Sequence, residues 1–242
     1  MGIVAFLYGA ASYTAGLIAL LYAIGFVGNV LVPKGIDSAP AGALPEALLV
    51  DALLVGLFAV QHSVMARPGF KAVWTRIVPR PAERSTYVLV SSLLLALLCW
   101  KWQAIPAVVW DVSSPALAAI LLALFGLGWL IVLLSTFMIN HFDLFGLRQV
   151  WLQLTGKPYQ SLQFGTPALY RYVRHPLYVG WLLTFWAAPT MTIAHLVFAL
   201  TSSAYILIAI RLEEHNLIAV HPQYQDYRRR VPMLLPFTKA RP

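Results

Sequence analysis

Arg174, His175 and Tyr178 stand close together in Arg174-His175-Pro176-Leu177-Tyr178-Val179-Gly180, and a second polar knot follows at Arg211-Leu212-Glu213-Glu214. The run between is predominantly apolar and is broken at Pro189-Thr190-Met191-Thr192. Pro176 suits the first position of a helix, where a missing N–H costs nothing. The amides of such a helix start carry partial positive charge and receive a carboxylate readily. His175 and Tyr178 can donate to the same anion, and Gly180 lets a ligand approach the backbone. Glu213 and Glu214 offer acceptors for an ammonium group or ribose hydroxyls, and Arg211 can pair with Glu214 at i,i+3. A ligand carrying a carboxylate, an ammonium and a ribose fits this set. The same residues also fit as ordinary interface groups, with Arg211–Glu214 a surface pair, and spacing alone does not separate the two readings.

A straight helix over residues 175–210 would be roughly 54 Å long, against a bilayer core of about 30 Å. A hairpin folded at Pro189 is therefore expected, bringing both knots to one side of the membrane. The whole chain points the same way. Of its 242 residues 60% are hydrophobic and 11% charged, with a mean hydropathy of +0.74; soluble domains carry about twice that charge. The fold expected is all-α, a polytopic helical bundle of five to six transmembrane helices ending in the hairpin. It is read as one membrane-embedded unit, with a four-helix part over 1–140 and a cofactor-binding part over 141–242. The first apolar segment is too long, and too poor in flanking charge, for a removable signal peptide. Cys99 is the only cysteine, which excludes disulfides and Cys-ligated zinc within the chain; no metal site is expected.

The net charge of +8 is unevenly placed. Arg67, Lys71, Arg76, Arg80 and Arg84 crowd one loop. Arg148, Lys157, Arg171 and Arg174 crowd another, and Arg228, Arg229, Arg230, Lys239 and Arg241 fill the tail. Basic residues on alternating loops mark cytoplasmic segments, with anionic membrane lipids as partners and nucleic acid excluded.

Spans are expected near 6–32, 46–65, 85–102 and 116–139. In the first, Gly9, Gly16, Gly25 and Gly28 allow close helix approach, and Asn29 reads as a helix-to-helix hydrogen bond. The second carries Asp51 and His62, about 16 Å apart along the helix. Asp51 falls toward the outer end. His62, in Gln61-His62-Ser63, falls at the depth of the two knots, where ionisable groups are functional candidates. Trp100 and Trp102 read as interface anchors. Gly126 and Gly128 suit close packing in the fourth span. That span ends in Asn140-His141-Phe142-Asp143-Leu144-Phe145-Gly146-Leu147-Arg148-Gln149, a dense polar group in apolar surroundings; Asn140 and His141 suit a helix end. A loop over 157–167 and a short helix over 168–173 follow.

His175, Pro176, Tyr178 and Gly180, then Glu213, Glu214 and Leu217, then Tyr224 and Tyr227, then Val231 and Pro232, together resemble the isoprenylcysteine carboxyl methyltransferase superfamily of membrane enzymes. Gln61 to Arg67, Glu83 to Leu89 and Asn140 to Gln149 resemble a narrower group, the bacterial methanethiol S-methyltransferases, and NnrU-like membrane proteins share some of these segments. The resemblance implies S-adenosyl-L-methionine held in the C-terminal hairpin and S-adenosyl-L-homocysteine as product. The donor's carboxylate would lie near Arg174, His175 and Tyr178, and its other polar groups near Glu213 or Glu214, with Arg211 beside them. Tyr170, Phe142 and Trp181 could face the sulfonium by cation–π attraction.

The acceptor implied is a small thiol, methanethiol, converted to dimethyl sulfide. Methyl transfer to sulfur needs in practice a thiolate, and free thiols have pKa values of about 8.5 or above. His141 is the first candidate for the base. Asp143 could orient it once the helix has ended, or act as a base raised by burial. Arg148 could favour the thiolate electrostatically, and His62 is a further catalytic candidate. Three alternatives stay open: a methyltransferase for a lipid or isoprenoid thiol or carboxylate, an NADPH-dependent membrane reductase, and a non-catalytic membrane protein or transporter. The expected location is the bacterial inner membrane with the active site facing the cytoplasm. Nothing in the sequence fixes the oligomeric state.

Overall fold

The computed structural model describes residues 2–38 and 43–238. In chain order its elements are helices α1 (Gly2–Gly28), α2 (Leu44–Met65), α3 (Pro68–Trp74) and α4 (Arg80–Lys101), strand β1 (Val108–Asp111), and helices α5 (Pro115–Ile139), α6 (His141–Leu144) and α7 (Leu147–Leu154). A 3-10 turn (Ala168–Arg171), α8 (Pro176–Trp186), β2 (Thr190–Thr192), α9 (Ile193–Val220) and α10 (Tyr224–Arg230) complete it. α1, α2, α4, α5 and α9 are long and apolar enough to cross a membrane, and the protein is an all-α polytopic membrane protein. α8 has 11 residues, about 16 Å of helix, too short for a core about 30 Å thick. Among the described residues five helices have the length to cross, and the first arm of the hairpin does not.

The chain divides into two compact units, each drawing on separate stretches of sequence. The first comprises 1–107, 140–161 and 192–197; the second comprises 108–139, 162–191 and 198–242. Lys239 and Arg241 of the basic tail lie outside the described residues.

In the first unit α1 packs on α4 and α7, and α2 on α4. Lipid tails are as apolar as leucine, so helices associate here through close packing and hydrogen bonds rather than the hydrophobic effect. Gly9 meets Val150 so closely that a Cβ would lie 2.4 Å from the valine Cγ2, and Gly16 meets Val88. The Tyr8 hydroxyl donates to Thr86 Oγ1 at 2.9 Å, joining α1 to α4. Met65, Tyr87 and Val88 form a buried cluster against which Phe70, Trp74 and Phe145 pack. Asp51 is fully buried and accepts the Gln103 amide at 2.9 Å, serving the chain just past the end of α4.

Two expectations for this unit change. Trp100 is 67% exposed, as an interface anchor would be, but Trp102 is 1% exposed and stacks edge-on against Phe26 at 6.1 Å. Asn29 makes no helix-to-helix bridge. It stands just past α1 with φ +52°, a left-handed conformation that asparagine tolerates, and its side chain bonds Asp37 on both sides, at 2.6 and 3.0 Å. The reason is local: a short amide at a helix end closes the following loop.

In the second unit α8 packs along α5. Gly128 and Gly180 face each other there, and a Cβ on Gly180 would lie 2.7 Å from the Gly128 carbonyl oxygen and 2.9 Å from the Val132 amide nitrogen. Gly180 is thus a helix-contact glycine rather than the ligand-approach glycine expected from sequence. Gly126, by contrast, has open space around it. Phe185 packs edge-on against Phe198 at 5.1 Å, and Trp186 Nε1 donates to Ser203 Oγ at 3.0 Å, so α8 and α9 double back on each other. The expected break at Pro189 is a short two-stranded ribbon of β1 and β2, extended by the Val112 amide donating to the Pro189 carbonyl at 3.0 Å.

Candidate active site

The second unit gathers both polar knots in one place. Glu214, 6% exposed, is its hub. Its Oε1 accepts from Arg174 Nε at 2.7 Å, from His175 Nε2 at 3.0 Å and from the Tyr224 hydroxyl at 3.2 Å. Its Oε2 lies 3.4 Å from Arg228 Nε. A carboxylate so placed has little left to offer a ligand. The expected Arg211 pairing is absent: Arg211 is exposed, and the cations at Glu214 come from Arg174 and Arg228. Helix spacing suggests the local partner, whereas the fold supplies a buried one, Arg174, and a partly exposed one, Arg228, from elsewhere in the chain.

Arg174 is committed as fully. Besides Glu214, its Nη1 donates to the carbonyls of Arg228 at 2.8 Å and Val231 at 2.6 Å. The Arg174 amide donates to the Pro232 carbonyl at 2.9 Å and the His175 amide to that of Met233 at 3.2 Å. The Val231-Pro232 segment therefore acts through its carbonyls, strapping the tail across the entry to α8. Tyr227 donates to the Tyr170 carbonyl at 2.6 Å, and Phe164 packs against His221, Tyr224 and Tyr227 with ring centroids 5.6 to 5.7 Å away. Burial raises the tyrosine hydroxyls at 170 and 224, with neighbouring glutamate charge adding to it, and pushes Tyr227 up to about 12. These hydroxyls stay protonated, and those of Tyr224 and Tyr227 act as donors.

Glu213 stands differently. Its side chain is 46% exposed. The Tyr178 hydroxyl donates to its Oε2 at 3.0 Å, and His175 Nδ1 lies 3.9 Å from the same oxygen, too far for a hydrogen bond. The charge of Glu213 also bears on Tyr170. A half-exposed carboxylate beside Tyr170, His175 and Tyr178 can take a cationic or hydroxyl-bearing group. Pro176 is buried at the start of α8 and fixes the entry of that helix.

The first unit holds the remaining candidates. Asn140, at φ +141°, breaks the chain after α5, and its side chain accepts the Asp143 amide at 3.0 Å, capping α6. His141 is buried, with Nε2 2.9 Å from the Tyr13 hydroxyl; desolvation lowers its pKa from the usual 6.5. Asp143 directs one oxygen to Arg148 Nη1 at 2.7 Å and the other to the Tyr159 hydroxyl at 3.3 Å. Its carboxylate is thus engaged by Arg148 and Tyr159, whereas the sequence leads one to expect it to orient His141 or to act as a base itself. Arg148 also donates to the Gln160 carbonyl at 3.2 Å. His62 bonds the Tyr87 hydroxyl at 2.7 Å and stacks on Phe58 at 5.2 Å.

The NnrU protein family matches residues 49–226. The chain belongs to that family. Relatives of this NnrU-family chain include a methanethiol S-methyltransferase of Crocosphaera subtropica, 56% identical over 96% of this chain and 91% of the relative. One of the same name from Mycobacterium tuberculosis is 56% identical over 96% of this chain and 95% of the relative. Nurim of Rattus norvegicus is 30% identical over 72% and 70%. No solved structure matches.

Several residues of this NnrU-family chain escaped the sequence reading. Tyr13 gave no signal, being one aromatic among many in a membrane helix. Tyr159 looked like loop. His195, 1% exposed at the start of α9, lies 3.7 Å from Asp37 Oδ2 in the first unit. A histidine so near a helix start, 158 residues from its partner by the numbering, cannot be paired by spacing.

Proposed function

We propose that the chain is a membrane methyltransferase that moves a methyl group from S-adenosyl-L-methionine to methanethiol, giving dimethyl sulfide and S-adenosyl-L-homocysteine. The observation carrying this is the 50 to 56% identity to six methanethiol S-methyltransferases, over 89 to 98% of this chain. The second unit supports the donor's identity, because Glu213 and Tyr178 present a half-exposed anion and hydroxyl, as an ammonium or ribose would require. When bound, the donor supplies an electrophilic methyl group on a sulfonium.

The residues then divide by task. Glu213, Tyr178 and His175 bind, and Tyr170 adds an aromatic face. Arg174, Glu214 and Tyr224 position: each acts through the buried network that fixes His175 and the tail. Pro176 and Gly180 position α8, and Arg211 stands near the acidic pair on α9. His141 takes the thiol proton. Its burial keeps the imidazole neutral near pH 7, the form able to accept, and such general-base help is worth about 10² to 10⁴ in rate. Asp143 and Arg148 hold the turn after α6 through their ion pair, and His62 is a second, tyrosine-bonded histidine of the same unit. Three basic stretches on alternating loops support a donor site facing the cytoplasm of a bacterial inner membrane, the side on which the donor is made.

Methyl transfer from labelled S-adenosyl-L-methionine, assayed with methanethiol and with long-chain thiols, tests the reading. Preference for methanethiol is expected; preference for a long-chain or isoprenoid acceptor would overturn it.

A further inference from the structure

The aromatic face of α8 does not end at the donor-binding residues of the second unit. Trp181 follows Tyr178 by three residues, so the two side chains share a helix face, with Trp181 about 4.5 Å further along the axis from His175. Its ring meets Trp129 of α5 edge-on, with centroids 4.9 Å apart, and lies 5.7 Å from Phe185 on the next turn. Trp129 is 8% exposed, and its indole N–H finds no acceptor among the described residues. A buried donor left unmet costs about 1–3 kcal/mol, and an indole can only donate. Gly128 and Gly180, each one residue before a tryptophan of the pair, already bring the two helices together: a Cβ on Gly128 would lie 2.8 Å from the Gly180 carbonyl oxygen. A partner for this place is small and apolar and carries one weak acceptor. A one-carbon thiol meets all three conditions, since its sulfur accepts weakly.

We propose that Trp129 and Trp181 determine acceptor specificity: the Trp129 N–H donates to the thiol sulfur, and the two indoles fill the space in which a longer chain would lie. This rests on reading Glu213, Tyr178 and His175 as the donor site. A donor held at Tyr178 has the tryptophans on its membrane side, from which an apolar thiol arrives out of the lipid. Each further methylene has to displace an indole edge that Phe185 backs, and Phe185 is itself packed on Phe198 with centroids 5.1 Å apart. A pocket of this kind discriminates by about 10- to 200-fold per methylene.

The test measures kcat/KM for methanethiol, ethanethiol and propanethiol on the full chain, with labelled S-adenosyl-L-methionine. In the wild type a fall of about tenfold or more per added methylene is expected; equal values for the three thiols overturn the proposal whatever any variant does. Trp181→Ala and Trp129→Ala should each raise the ethanethiol-to-methanethiol ratio about tenfold or more, with S-adenosylhomocysteine affinity close to that of the wild type. A ratio unchanged in variants that still bind S-adenosylhomocysteine overturns the proposal. Trp129→Phe keeps a ring in the contact and removes the N–H, so it decides the matter if the alanine variants do not fold. It should raise KM for methanethiol about fivefold, the effect of one lost hydrogen bond, with kcat retained; an unchanged KM overturns the assignment of the N–H to the sulfur. If the wild type prefers methanethiol while the ratio ignores both tryptophans, the specificity assignment fails and the reaction stands. If the wild type methylates no thiol, both fail.

Discussion

Two adjacent glutamates meet opposite fates, and the difference is measurable. Glu214 is a buried ion in contact with Arg174, His175, Tyr224 and Arg228. Removing one partner of a buried pair leaves an uncompensated charge and costs about 3–5 kcal/mol. Glu214→Ala is therefore expected to lower the thermal transition sharply and to lose donor binding only as a consequence. Glu213 is half exposed and bonded to Tyr178. Glu213→Gln should keep the transition temperature and weaken S-adenosylhomocysteine binding, read by calorimetry. From sequence the pair was visible but not the division within it, because the partners that bury Glu214 come from residues 174, 175, 224 and 228, which no local rule connects. Of the site residues, those tied to helix starts and ends were legible; Tyr13 was not, since a tyrosine in a membrane helix reads as packing.

His141 carries a second prediction at this scale. Burial lowers its folded-state pKa below 6.5, so the unfolded chain binds the proton more readily. Below about pH 6.5 the unfolded state takes up more protons than the folded one, and stability falls as pH falls. Wild-type melting temperature should drop between about pH 7 and about pH 5. His141→Phe, which removes the titrating group and keeps a ring, should flatten that slope; an unchanged slope would show that other groups dominate.

Among the helices, the close pairs are set by glycine. A Cβ on Gly180 meets backbone, the Gly128 oxygen at 2.7 Å and the Val132 nitrogen at 2.9 Å, so neither partner can swing away. Gly180→Ala is expected to destabilise by about 1–3 kcal/mol, seen as a lower melting temperature, whereas Gly126→Ala, with open space around it, should be neutral or slightly stabilising. Equal effects at the two sites would remove the contact between α5 and α8 as the explanation. Span positions were legible because long apolar runs have few other uses. β1 was not: Val108-Val109-Trp110-Asp111 is four residues, and its pairing depends on the distant Thr190 segment. α8 was legible as an arm, and its insufficient length followed once Trp186 fixed its end.

For the whole molecule, charge and hydropathy set the class, and the identity to methanethiol S-methyltransferases gives the proposed reaction its best support. If the basic loops face the cytoplasm, Arg76→Cys and Lys157→Cys should react with an impermeant maleimide in inside-out vesicles and resist it in right-side-out ones. Labelling in the opposite pattern would place the donor site on the wrong leaflet for a cytosolic donor. The most direct measurement is calorimetric titration of the purified full chain with S-adenosylhomocysteine, wild type beside Glu213→Gln. Saturable one-to-one binding to the wild type is expected, weakened about tenfold or more in the variant, about 1.4 kcal/mol. Absence of binding to the wild type, or equal affinity in both, would contradict a donor gripped by the start of α8 and the acidic end of α9.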